Sequence, residues 1–140
     1  MNIRLAKPDE REALEALQWR ASLANPDDRP HLLANPDAID LPMAQIESGD
    51  VLVAEIEGRI TGFAAVVGGE LDGLFVAPEQ WRRGIGEALV AAAAELAKRR
   101  GFPLTVIANP AAFGFYERCG FIWEGTTQTR FGPGRVMSRA

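Results

Sequence analysis

One stretch constrains this chain more than any other: residues 70–101, ELDGLFVAPEQWRRGIGEALVAAAAELAKRRG. A short apolar strand ending at Val76 runs into Pro78. Two arginines and Gly84-Ile85-Gly86 follow, and then an alanine-rich run predicts a long helix over Gly84–Arg100. Strand, donor-rich loop and helix start, in that order, make an anion site: unpaired N–H groups and the positive end of the helix dipole point the same way. Ile85, Leu89, Ala92 and Leu96 recur at helical spacing and form the expected buried stripe. Lys98, Arg99 and Arg100 suit the negative end of the dipole, and Gly101 supplies the stop.

The elements on either side follow from period and punctuation. Ile3–Ala6 reads as a strand, and Glu10–Leu23 as a helix with Leu14, Leu17 and Ala21 on one face. Two Asn-Pro-Asp turns break up residues 24–41 into loop or short helical turns, and a helix over Pro42–Ser48 stops at Gly49. The period then changes to two. Val51–Ile56, Arg59–Val67 and Glu70–Val76 form an antiparallel meander joined at Glu57-Gly58 and Gly68-Gly69. Leu104–Ala108 is apolar throughout, as a parallel strand covered on both faces is. Asn109-Pro110 starts a short helix running to Cys119, and Phe121–Thr127 and Arg135–Arg139 pair around a turn at Phe131-Gly132-Pro133-Gly134. The expected fold is α+β, in the order β-α-α-β-β-β-α-β-α-β-β: one mixed, mostly antiparallel sheet flanked by about four helices.

Composition narrows the function. With 140 residues and 47% apolar content, a single domain with a real core is expected over 1–140. A net charge of −4 speaks against a nucleic-acid partner. One cysteine and one histidine, Cys119 and His31, form no disulfide framework and no metal site of the usual ligand types, so no metal is expected. The N-terminal residues lack a secretory h-region, and no apolar run approaches the roughly 20 residues that span a bilayer, so a cytoplasmic protein without a membrane partner is expected.

Two familiar phosphate loops do not fit. There is no Gly-x-x-x-x-Gly-Lys-Ser/Thr, and Gly84-Ile85-Gly86 is followed at the third position by Leu89 rather than Gly or Ala. What the loop resembles is the acyl-CoA loop of the GNAT N-acetyltransferase superfamily, Arg/Gln-x-x-Gly-x-Gly/Ala at a helix start after an apolar-x-Pro step. Here Val76-Ala77-Pro78 is the step and Trp81-Arg82-Arg83-Gly84-Ile85-Gly86 the loop. A second motif is similar to the family's Asn-x-x-Ala-x-x-Phe-Tyr-x-x-x-Gly-Phe element: Asn109, Ala112, Phe115-Tyr116 and Gly120-Phe121. The resemblance covers essentially the whole chain. Trp81 departs from it, standing where the family has Arg or Gln.

The resemblance implies an acetyl-CoA-dependent N-acetyltransferase that moves an acetyl group directly from the thioester to a primary amine of a small molecule or peptide, without an acyl-enzyme. It implies that Arg82, Arg83, Gly84, Ile85, Gly86 and Glu87 hold the pyrophosphate, and that the backbone of Leu74, Phe75 and Val76 pairs with the pantetheine arm. It also places Asn109, Ala112, Phe115 and Tyr116 at the cofactor. A homodimer is one assembly the resemblance leaves open, and a non-catalytic acyl-CoA-binding module of the same fold is the alternative reading.

The chemistry sets further demands. An amine of pKa about 10 is neutral about one part in a thousand at pH 7, which costs roughly 4 kcal/mol unless something takes the proton. Glu70 and Asp72 are the candidate bases, on one face of a strand, with ordered water as the third candidate. Tyr116, the only tyrosine, is the candidate acid for the departing thiolate. Cys119 on an apolar helix face and Trp19 and Trp123 read as core or pocket wall, and His31 as a solvated surface residue. The resemblance places the acceptor site at roughly residues 19–46 and 124–137, and the first of these holds Asp27, Asp28, Asp37 and Asp40, which suit a cation. The second holds Arg130 and Arg135, which suit a carboxylate, so an amino-acid-like or peptide amine would satisfy both.

Overall fold

The period-two stretch after Gly49 builds the centre of the sheet. In the computed structural model, which describes residues 1–140, β1 (Asn2–Leu5), β2 (Val51–Ile56), β3 (Arg59–Val67) and β4 (Glu70–Val76) form a continuous antiparallel array. β5 (Leu104–Ala108) joins β4 in parallel, and β7 (Gly132–Arg139) joins β5 and β6 (Ile122–Thr129) antiparallel. The seven strands run in the order β1-β2-β3-β4-β5-β7-β6. A parallel step needs a long crossover. Here it is the helix predicted after the glycine loop, α4 (Ile85–Arg99).

Alternation along β2 and β3 divides the core between the two faces of the sheet. Val51, Val53, Phe63 and Ala65 pack on one face beneath α1 (Arg11–Ala24), whose buried stripe is Leu14, Leu17 and Ala21. Leu52, Ala54, Ala64 and Val66 face the other way, towards α4. With both faces covered, these strands are buried almost continuously, which is why they read as unbroken apolar runs. α4 meets the sheet through Ile85, Leu89, Val90, Ala93 and Ala97, whereas Ala92 and Leu96 of the expected stripe lie at its margin, only partly buried. The i, i+4 row Ile85, Leu89, Ala93 and Ala97 faces the sheet, and this orientation turns Ala92 and Leu96 to the margin.

The segment between α1 and the sheet resolves into α2 (Arg29–Ala34), a 3-10 turn at Pro36–Ala38 and α3 (Met43–Glu47), so there are five helices rather than four. The last helix splits into a 3-10 turn, Pro110–Ala112, and α5 (Phe113–Arg118). The final hairpin turns at Arg130-Phe131, earlier than its glycines and proline suggest. Gly132, Pro133 and Gly134 belong to β7 and pair only with β6, because β5 pairing ends at Ala108–Arg135. Pro133 therefore removes no bond to β5.

Candidate active site

β4 and β5 touch at only two register positions, Glu70–Thr105 and Leu71–Val106, and then diverge. From Asp72 onward β4 is paired on its β3 side alone. A cleft of about 400 Å³ opens beside this free edge. Leu74, Phe75 and Val76 form one wall and Gly84, Ile85, Gly86 and Glu87 the end; Ala112, Phe115 and Tyr116 lie opposite, and Arg82 at the rim. Nearly all the residues expected at the cofactor are thus brought together. Arg83 lies outside this lining, within 3.4 Å of Gln80 Oε1, and Asn109 lines a neighbouring cleft.

The loop geometry suits an anion. Arg82 has φ +65°, a left-handed conformation unusual for a residue with a Cβ, and Gly84 has φ +80°. Backbone strain of this kind collects at ligand-binding turns. Gly84 offers no side chain to cap α4. Its carbonyl takes the Ala88 N–H at 3.1 Å, so the first-turn amides that precede Ala88 have no partner within the helix. At Gly86 a Cβ would lie 3.2 Å from Phe115 Cζ, so glycine is what lets α4 and α5 approach across the cleft floor. Trp81, the departure from the family pattern, folds back and donates its indole N–H to the Val76 carbonyl at 2.7 Å. It fastens the end of β4 to the loop and forms part of the cleft wall.

Tyr116 sits where α5 meets the core, its ring held edge-on by Phe115 and Phe121 with centroids 5.1 and 5.2 Å away. Burial, with a smaller contribution from Cys119, raises its phenol above the ordinary value, so it stays protonated. Every fully buried polar side-chain atom has a partner. The Tyr116 hydroxyl, which no protein group bonds, is therefore one that the cleft reaches. Asn109 caps the following turn, its Oδ1 accepting from Ala112 N at 3.1 Å. Cys119 is half-buried, and burial with the charge of Glu87 pushes its thiol up, away from the thiolate a nucleophile needs.

A second cleft of about 590 Å³ adjoins the first, under α1, α2 and the β6–β7 hairpin. Asp72 lines it, as do Asp27, Asp28 and His31. His31 is exposed but packs 5.1 Å from the Phe131 ring, at the cleft wall rather than alone in solvent. Glu70, the other candidate base, lines neither cleft; it lies at the start of β4 beside Thr105. The two arginines expected to receive a carboxylate are already engaged. Arg130 Nη2 lies 3.0 Å from both Asp37 Oδ1 and Asn35 Oδ1. Arg135 stacks on Phe113 and Trp123, 3.9 and 4.5 Å from their ring centroids, and pairs with Glu117 at 3.5 Å. Trp123 is accordingly a surface residue, 55% exposed, and not part of the core. No lysine or arginine lines the second cleft.

Solved structures share the architecture that carries these clefts. A GCN5-related N-acetyltransferase from Rhodopseudomonas palustris superposes with a TM-score of 0.80 at 24% identity, over 99% of this chain and 94% of that one. YjaB from Escherichia coli gives 0.72 at 25% identity, over 98% and 95%. The PaiA N-acetyltransferase from Thermoplasma acidophilum, solved in complex with coenzyme A, gives 0.73 at 21% identity, over 99% and 97%. No curated protein matches the chain significantly. No helix is long and apolar enough to cross a membrane. The sequence profile of the Acetyltransferase (GNAT) family matches residues 11–121, and the chain belongs to that family.

Proposed function

We propose that this protein transfers an acetyl group from acetyl-CoA directly to a primary amine. One observation carries the reading: a single cleft joins a helix start with unpartnered amides, a free strand edge and a protonated phenol. The amides of residues 85–87 would take the pyrophosphate, with Arg82 and Arg83 adding charge at the rim. The free edge of β4 at Leu74 and Val76 would pair with the amide groups of the pantetheine arm, as an added strand does. Acetyl-CoA supplies the activated thioester carbon. Tyr116 would donate to the sulfur as the C–S bond breaks, which makes a thiolate of pKa about 8.5 a better leaving group.

The second cleft would take the acceptor. Its acidic residues, Asp27, Asp28 and Asp72, have no cationic side chain among them, and its other walls include Phe75, Ile107 and Phe131. An amine on an apolar or cationic body fits this lining; the carboxylate of an amino acid finds no free arginine there. A panel of amines assayed for free thiol with acetyl-CoA tests both statements. Turnover is expected with alkyl, aryl or polycationic amines and to be at least about tenfold lower with matched α-amino acids, the penalty for one unpaired buried charge. Turnover confined to amino acids would reject the acceptor assignment. Tight acetyl-CoA binding with no amine-stimulated thiol release would reject the enzyme reading in favour of a binding module.

A further inference from the structure

Three residues line both clefts: Ser22 of α1, Phe75 of β4 and Asp28, on the turn before α2. They mark the junction where a donor entering from one side would meet an acceptor entering from the other. Asp28 brings the only carboxylate to that junction. It stands at the N-cap position of α2, where an aspartate ordinarily bonds the helix amides, yet its side chain makes no cap bond. No arginine or lysine pairs with it. A half-buried carboxylate left without a partner is costly, and a functional site is where such a cost persists.

We propose that Asp28 is the proton acceptor for the incoming ammonium group, in place of a carboxylate on β4. This rests on the acetyltransferase reading above. The ammonium gives one proton to the Asp28 carboxylate, and the neutral nitrogen attacks the thioester carbonyl. The C–N bond forms and the C–S bond breaks. The sulfur takes the Tyr116 proton, and the nitrogen's second proton restores the phenol through solvent. Asp28 then releases its proton to water, so one proton leaves per acetyl group transferred.

The surroundings suit the task. Burial, and then the charge of Asp27, raise the Asp28 carboxyl above its ordinary value, while His31 opposes them. Asp72 faces it across the acceptor cleft, and Arg82, Glu87, Tyr116 and Arg118 line the donor cleft. A base is most effective when its pKa approaches the working pH. Asp28 lies in a stretch punctuated by Asn-Pro-Asp turns, and its position beside β4 depends on how α1 packs.

The test compares the wild type with Asp28→Asn and Asp28→Glu, measuring amine-dependent thiol release from about pH 6 to 10, acetyl-CoA affinity by calorimetry, and Tm. Asp28→Asn is expected to bind acetyl-CoA within about twofold of wild type and to melt no lower, since an unpaired carboxylate has been removed. Its kcat at neutral pH should fall about 100-fold. Its rate should then climb about tenfold per pH unit towards the amine's own pKa, as the free-amine fraction does. Asp28→Glu should restore much of the rate and the flatter wild-type profile. Asp28→Asn with the wild-type rate and profile would overturn the assignment, as would Glu70→Gln carrying the loss instead. A fall in Tm or acetyl-CoA affinity as large as the fall in rate would also overturn it, by making Asp28 structural. If wild type releases no thiol with any amine while Asp28→Asn keeps its affinity and Tm, the acetyltransferase reading has failed, and this assignment fails with it.

Discussion

Tyr116 packs through its ring and, in the reaction proposed above, acts through its hydroxyl. Its ring fills a slot between Phe115 and Phe121, and its hydroxyl faces the cleft. Tyr116→Phe keeps the ring and removes the proton donor, so fold and acetyl-CoA affinity should be nearly unchanged. Thiol release should slow about 100-fold, with no loss of wild-type rate up to about pH 10, because the buried phenol does not ionise there. An unchanged rate in a free-thiol assay would remove Tyr116 from the chemistry. The motif singles out both Phe115 and Tyr116, and both line the cleft. The place of Asp28 at the junction of the two clefts was not legible: its sequence neighbours are turn residues, and its relation to Phe75 exists only in three dimensions. Glu70 was named from its place along β4, but spacing along a strand gives no information on which part of that strand borders a cleft.

At the scale of elements, whatever depends on local pattern was readable and whatever depends on partners was not. The meander over 51–76 and the helix after the glycine loop follow from period and punctuation alone. The hairpin turn was misplaced because Gly132-Pro133-Gly134 has turn chemistry; it is tolerated in β7 only because that end of the strand outruns β5. The C-terminus of α4 shows a further contribution from partners. Arg100, expected to serve the helix dipole, reaches across the sheet instead. It bonds Asp50 at 2.7 Å and the carbonyls of Val66 and Gly68 at 3.1 and 3.2 Å, tying the crossover to the start of β2 and the end of β3. Arg100→Ala is expected to destabilise the fold by about 2 kcal/mol, read as a lower urea midpoint. Lys98→Ala, on an exposed position nearby, should change it by less than about 0.5 kcal/mol.

For the whole molecule, acid stability depends on the first strand. Arg4 holds both Glu10, at 2.8 Å, and Glu55, at 2.9 Å, joining β1 to the turn before α1 and to β2. Hydrogen bonding from Arg4 lowers the Glu10 carboxyl from 4.5 to about 2. Because the folded value lies below the unfolded one, the stabilisation is fully present above about pH 4.5 and is lost as pH falls towards 2. Allowing for solvent screening, about 1 to 2 kcal/mol should go with Glu10→Gln, and the acid limb of a stability–pH curve should shrink to match. The divergence of β4 from β5 has a consequence of another kind. A sheet ordinarily exposes unpaired backbone at its two outer strands, where another protein's strand can add and begin aggregation. This sheet has a further such edge in its interior, flanked by α1 on one face and by α4 and α5 on the other. Covering an edge with helices is one way that a sheet keeps foreign strands from adding, so this ladder of hydrogen-bonding groups borders an open cleft while being shielded from the protein's own kind.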